Sequence, residues 1–344
     1  MTTLFFNFHD LVGIRIETGD EQAIKFFREE YKSYLTAELS PALPRIDLVF
    51  ERKNSQKTHG NLTSHTHKFL ARWDYKIDFK EKGIEITAFG NGFAIAMIHH
   101  MLLHPSLRYL VSLQGVLMLH AGAIVHNGYS WLFTGYGGAG KTTTVSLLLK
   151  KLGKGKALHA DDYVFISPGE KTFSYLTRAH LYLNLLSWLP ELKEKLTAGE
   201  KMQLWLLGKT RQWTREGLKW PLRMSLERMW DGYEPVSEAI PAGIIWLERA
   251  EEKKSSIAPF TPKSQDVDKL AEMNFYEARH FLALVKKSNA VTDFEGWLTD
   301  WKSREKALLM RSVEATPSYL LKISHETQDT LFLDELVQMM IEKK

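Results

Sequence analysis

The stretch "GYGGAGKTTTVSLLLK", residues 135–150, constrains the fold more than any other part of the chain. Gly137, Gly138 and Gly140 follow Gly135 closely, and a lysine, three threonines and a leucine-rich run come next. Glycine backbone can turn several N–H groups toward one anion and lets that anion approach without meeting a Cβ. "TTTVSLLLKKL" then reads as a helix ending at Gly153, with its free first-turn N–H groups and positive dipole end beside the glycines. Gly135-x-x-x-x-Gly140-Lys141-Thr142 matches the phosphate-loop pattern G-x-x-x-x-G-K-[ST] in full. Gly135, Gly137, Gly138, Ala139, Gly140, Lys141, Thr142 and Thr143 therefore form the candidate nucleotide cradle. Lys141 would reach the β/γ-phosphates and the Thr142 hydroxyl would ligate Mg²⁺. The alternative is a glycine-rich turn that merely precedes a helix. The strand-like "YSWLFT" before the loop and the leucine-rich helix after it argue for the phosphate reading.

Two further pieces of chemistry flank the loop. "LHAGAIV" and "YSWLFT" read as strands, joined through Asn127-Gly128, a type I′ hairpin signal. His120 stands just before the small residues of the first strand. Pairing that strand with the one that delivers the loop brings His120 to the loop's edge of the sheet; a histidine satisfied within the core is the competing reading. Downstream, "ALHADDYVFI" ends a strand in Asp161 and Asp162, the former 20 residues after Lys141. Beside a bound triphosphate, one carboxylate would hold metal and the other would accept a proton from an attacking hydroxyl. Taken alone, the pair would simply close a strand.

Composition narrows the class. The chain has 344 residues, 44% hydrophobic and 25% charged, as in globular proteins, and enough length for two domains. A net charge of +4 suits phosphorylated or acidic ligands and is too small to argue for nucleic acid. With no cysteine, disulfides and thiolate metal sites are excluded. "MTTLFFNFHDLVG" lacks a signal-peptide pattern, so a cytoplasmic location is expected. The apolar stretch 93–125 is interrupted by His99, His100, His104, Pro105 and Arg108, which speaks against a membrane span and for two buried helices and a strand. The three histidines fit helix packing better than a metal site, having no carboxylate beside them.

The remaining organisation is an α+β region followed by an α/β one. "IDLVFERK" and "YKIDFKEKGIEITAFG" alternate as strands, the latter bent at Lys82-Gly83, and "DEQAIKFFREEYKSYL" has helical spacing. "KNSQKTHGNLTSHTHK" reads as an exposed loop. Residues 179–230 read as mainly helical and carry Trp188, Trp205, Trp213, Trp220 and Trp230, with tryptophans expected in the core. "AGIIWLER" reads as a buried strand, and the rest as helical with a late strand at "SYLLKISH". The expected division is a small N-terminal α+β domain over 1–110 and a nucleotide-binding domain over 111–344, with a mixed sheet flanked by helices.

Over 117–167 the succession "LHAGAIVHNGYSWLFTGYGGAGKTTT…ALHADDYVFI" resembles the core of the HPr kinase/phosphorylase family and its smaller HPr-kinase-like relatives. These share a nucleotide-binding fold with phosphoenolpyruvate carboxykinases. The shared elements are a histidine before the hairpin, the G-x-x-G-x-G-K-[ST] loop and a strand ending in A-D-D. The resemblance implies an ATP- and Mg²⁺-dependent kinase for a serine/threonine-type hydroxyl on a protein or peptide. The alternatives are a small-molecule hydroxyl acceptor or a non-catalytic nucleotide-binding regulator. It further implies that Lys141 contacts phosphate, that Thr142 and Asp161 hold metal, that Asp162 is the proton acceptor and that His120 positions the phosphoryl group. Homo-oligomers are frequent among such proteins. The family's second signature, with its metal-binding glutamate, is absent: "LYLNLLSWLPEL" offers Asn184 and Ser187 and no glutamate before Glu191, so reverse phosphorylase activity is not implied. "REGLKWPLRMSLER" supplies Arg215, Lys219, Arg223 and Arg228. Lys219 and Arg223 are the candidates to neutralise a transferring phosphate, and a solvated basic face is the alternative for the group.

Overall fold

The computed structural model describes residues 1–52, 64–68, 70–153, 156–213, 221–252, 254–324 and 330–343. The chain is a mixed α/β protein, α+β overall, and divides into two compact units. The first comprises Met1–Met118, Ile166–Pro168 and Pro262–Ala315; the second comprises Leu119–Phe165, Gly169–Thr261 and Thr316–Lys344. Where the sequence suggests one boundary near residue 110, the compact units are discontinuous.

The first unit is built on a 7-stranded mixed sheet in the order Leu35–Thr36, Thr2–Phe8, Val12–Thr18, Arg45–Arg52, Gly83–Gly90, Ala71–Lys80, Ser64–Lys68. Alternating apolar residues make it one-sided: Phe6, Phe8, Ile14, Ile16, Ile46, Leu48, Phe50, Ile84 and Ile86 are buried. Helix Glu21–Glu30 starts at Asp20, whose carboxylate accepts from the Ala23 amide at 2.8 Å, and it buries Ala23 and Phe27. Of the expected loop over 53–68, residues 53–63 lie outside the described residues and Ser64–Lys68 is a strand. Pro105 does not end a helix. The path runs Ala94–Ile98, a π-helical stretch His99–Leu103, then His104–Leu113. The wider turn lies just before the proline, where a missing N–H and a bulky ring disturb regular α-helical bonding.

Residues 262–315 join this unit through Arg108. That residue is 1% exposed, and its Nε donates to Glu305 Oε1 at 2.8 Å while Nη2 bonds Oε2. Nη1 donates to the Asn274 carbonyl, and the guanidinium lies 4.9 Å from the Phe275 ring centre. Trp301 Nε1 donates to the same Glu305 at 2.9 Å. Tyr75 reaches the Leu284 carbonyl at 3.1 Å, and Phe79 packs edge-on against Trp297. Helical periodicity announces that Ser264–Tyr276, Arg279–Ser288 and Phe294–Ala315 bury one face; it does not say against which sheet. Glu305→Ala strands a buried guanidinium and is expected to cost about 3–5 kcal/mol, readable as a lower chemical-denaturation midpoint at unchanged slope.

In the second unit, Tyr129–Gly135 is the central strand. It pairs antiparallel with Ala121–His126 and parallel with Glu238–Ala250. The hairpin turn is Asn127 and Gly128 with φ of 52° and 81°, the primed-turn geometry. Lys156–Ala160 extends the sheet beyond Ala121–His126, and Ser318–Ser324 followed by Ser256–Phe260 extends it beyond Glu238–Ala250. Helix Lys141–Leu152 lays Val145, Leu148 and Leu149 onto Phe133, Ile124 and Leu158. It ends at Gly153, as its sequence suggests. Residues 179–230 are less helical than expected. A two-strand ribbon, Ala179–Leu181 with Leu222–Met224, brackets a short 3₁₀ turn and the helix Ala198–Trp213. Trp230 is buried, whereas Trp205 and Trp213 are 53% and 86% exposed, contrary to the expectation of core packing; Trp220 lies outside the described residues. No helix among the described residues is long and apolar enough to cross a membrane.

Candidate functional site

The loop starts where the central strand ends. Gly135, Gly138 and Gly140 have φ of +150°, +89° and +109°, values that a side chain disfavours. At Gly135 a Cβ would also stand 2.6 Å from the Leu247 carbonyl oxygen of the neighbouring strand. Gly137 and Gly138 face open space. Gly140 precedes helix Lys141–Leu152 and provides no side-chain cap, so nothing on the chain's own N-cap occupies the first-turn amides. Lys141 is 7% exposed, and its Nζ folds back onto the Gly135 carbonyl at 2.9 Å.

Strand register delivers the histidine. Thr134 is paired with Ala121, so His120 sits beside Gly135 at the start of the adjoining strand. Gly122 lets Asp161 come close, since a Cβ there would lie 3.2 Å from the Asp161 carbonyl oxygen and 2.8 Å from Val145. Asp161 and Asp162 follow Lys156–Ala160 at the bend before Val164–Ser167. His120 Nε2 and Asp162 Oδ1 are 2.9 Å apart, and Tyr163 stacks on the imidazole with ring centres 4.9 Å apart.

The two carboxylates are in different electrostatic states. Asp161 is buried, with Oδ1 shut off from solvent, and its Oδ2 accepts from the His180 amide at 3.4 Å. Burial, then the charge of Asp162, push its pKa up to about 7 against the opposing pull of the His180 amide, the Thr142 hydroxyl and Lys141. The Thr142 hydroxyl is thus close enough to act on the Asp161 carboxylate. For Asp162, crowding by protein atoms acts upward, but the charge and hydrogen bond of His120, with His180 and Lys141, hold it below the usual carboxylate range. Its side chain remains 35% exposed, so it faces outward while Asp161 faces in.

A second group of residues, not anticipated from sequence, surrounds the dyad. His180 Nδ1 lies 3.8 Å from Asp162 Oδ2. Tyr182 is pushed up to about 12 by burial, then by Asp162, and Arg211 and Arg223 act in the opposite direction. The Arg211 guanidinium lies 5.4 Å from the Tyr182 ring centre. Arg223 pairs with His180 across the ribbon, which places this candidate within the field of the site. The period-two pattern of "RAHLYL", with Ala179 and Leu181 buried and His180 and Tyr182 at the alternate positions, is the signal that could have found this strand. Arg228 is elsewhere, bidentate on Glu200 at 2.7 and 2.8 Å, and Arg215 and Lys219 lie outside the described residues.

Among the described residues no cluster of three or more His, Cys, Asp or Glu side chains is arranged to hold a metal ion. A cation here would have Thr142 and Asp161 as protein donors. No family model matches the sequence, and no curated protein matches it.

Proposed function

We propose that the second unit is an ATP- and Mg²⁺-dependent kinase, of the HPr-kinase-like phosphate-loop type, that phosphorylates a serine/threonine-type hydroxyl of a protein or peptide. The carrying observation is the meeting of the loop with the carboxylate pair, in which Thr142 and Lys141 act on the Asp161 carboxylate and Asp162 is held by His120. The glycine-rich backbone around 137–142, open at Gly137 and Gly138, and the Lys141 ammonium suit a polyphosphate; Nζ would leave the Gly135 carbonyl for phosphate oxygen. Thr142 and Asp161 suit Mg²⁺, an ion that keeps several waters and binds through one or two carboxylates plus substrate phosphates, where it offsets charge on the transferring group. The raised pKa of Asp161 fits a carboxylate whose charge is balanced only when a cation is present.

Asp162 orients the acceptor hydroxyl and takes its proton. A low-pKa carboxylate is adequate here, because in a loose phosphoryl-transfer transition state the proton leaves late and positioning dominates. His120 fixes the carboxylate's rotamer. A polypeptide acceptor is favoured over a small one by the helix Ala198–Trp213. Its Met202, Trp205, Leu206 and Trp213 are exposed along one face, and its Arg211 touches Tyr182 beside the dyad.

Calorimetric titration with Mg-ATP tests the reading. Wild type is expected to bind in the micromolar range, and Lys141→Ala to bind about 100-fold more weakly. Equal affinities in the two proteins would overturn it. Transfer of γ-labelled phosphate to candidate peptides, and not to candidate small metabolites, would establish the acceptor class.

A further inference from the structure

We propose that Arg249 is a second cation of the phosphate cradle, contacting the polyphosphate chain together with Lys141; this rests on the nucleotide reading above. Strand Glu238–Ala250 runs parallel to the loop-delivering strand, with Leu247 paired to Gly135. Both strands therefore end on the same side, the side where open parallel sheets bind ligands. Arg249 lies two residues past Leu247 and shares its face of the strand. A Cβ on Gly140 would lie 3.4 Å from a terminal nitrogen of Arg249, so the guanidinium rests against the last loop glycine, where the helix begins.

No carboxylate among the described residues compensates this cation. Two neighbouring acids are directed elsewhere: Glu252 accepts from Lys322 at 2.7 Å, and Glu248 is exposed and acts on the same lysine; the third, Glu251, is exposed. Arg249 is half-buried, and burial alone acts on its ionisation, in the downward direction. A guanidinium carries five donors and no acceptor, and removing it partly from water without an anion is unfavourable. Its planar fork can bridge two phosphate oxygens, which a lysine cannot do.

The test is titration of wild type, Arg249→Gln and Arg249→Lys with ATP and with inorganic tripolyphosphate, beside unligated melting temperatures. Arg249→Gln is expected to weaken both ligands about 10- to 100-fold, and Arg249→Lys to recover part of the loss. Unchanged tripolyphosphate affinity would overturn the assignment, and a loss confined to ATP would mean a base contact instead. Should the glutamine variant fail to fold, the lysine variant decides: several-fold weaker tripolyphosphate binding supports the assignment and wild-type affinity refutes it. Binding that disappears in Lys141→Ala but survives in both Arg249 variants rejects Arg249 alone. A wild type that binds neither ligand removes the nucleotide reading and this inference with it.

Discussion

Asp162→Asn is expected to slow phosphoryl transfer by about 10³-fold, within the 10²–10⁴ range of a positioned proton acceptor, while Mg-ATP affinity changes by no more than about twofold. An amide keeps the size of the side chain, yet it neither takes the hydroxyl proton nor offers His120 an anionic partner. The loop, Lys141 and Thr142 do not depend on that charge for their backbone geometry, so binding and turnover should separate. Single-turnover transfer of labelled γ-phosphate, read beside calorimetric affinity, makes the comparison. Equal transfer by both proteins would remove Asp162 from the chemistry, and loss of binding in step with transfer would make it structural.

Asp161→Asn should act in two opposed directions. The folded-state pKa of Asp161 is raised from 3.8 to about 7, so over that interval the folded protein holds a proton that the unfolded chain has released. Stability then falls as pH rises from about 4 to about 7 and levels off above, with a deficit on the order of a few kcal/mol. Asparagine carries no such charge. In metal-free, nucleotide-free buffer at pH 8 the variant should melt about 5 °C or more above wild type, and near pH 4 the difference should vanish. The added stabilisation that Mg²⁺ brings to the ATP complex should be lost in the same variant, because half of the protein's contribution to the ion is gone. Scanning calorimetry at the two pH values, with and without Mg-ATP, checks both. A variant less stable than wild type at pH 8 would contradict the proposed charge state.

The site was readable where local backbone demands and chemistry coincide in a few adjacent residues. The 135–142 loop needs glycines at fixed places, Asn127-Gly128 needs positive φ twice, and Asp161-Asp162 places two charges at a strand end; each leaves a mark in the letters. Gly122 is a subtler case, a small residue whose reason becomes visible only once Asp161 lies against it. His180, in a strand of three residues, and Tyr182, just past its end, escaped because the alternation of "RAHLYL" is short and its leucines imitate a helix. Arg249 was hidden in what reads as the tail of a buried strand. The exposure of Trp205 and Trp213 reverses the usual expectation for tryptophan, which composition cannot foretell. Nor did anything in 262–315 name Arg108, more than 150 residues earlier, as the partner of Glu305. Long-range ion pairs have no local grammar.

That ion pair also sets a timetable for biosynthesis. The aromatic face around Tyr75, Phe79 and Tyr109 receives its cover from Leu284, Trp297 and Trp301. A ribosome adding about 5–20 residues per second needs roughly 10 to 40 s to travel from residue 118 to residue 315. Throughout that interval the Tyr75, Phe79 and Tyr109 face of the nascent unit stands uncovered, with Arg108 lacking its carboxylate. Chaperone demand during translation, and rapid aggregation of any chain stopped short of residue 315, follow from the late arrival of three helices.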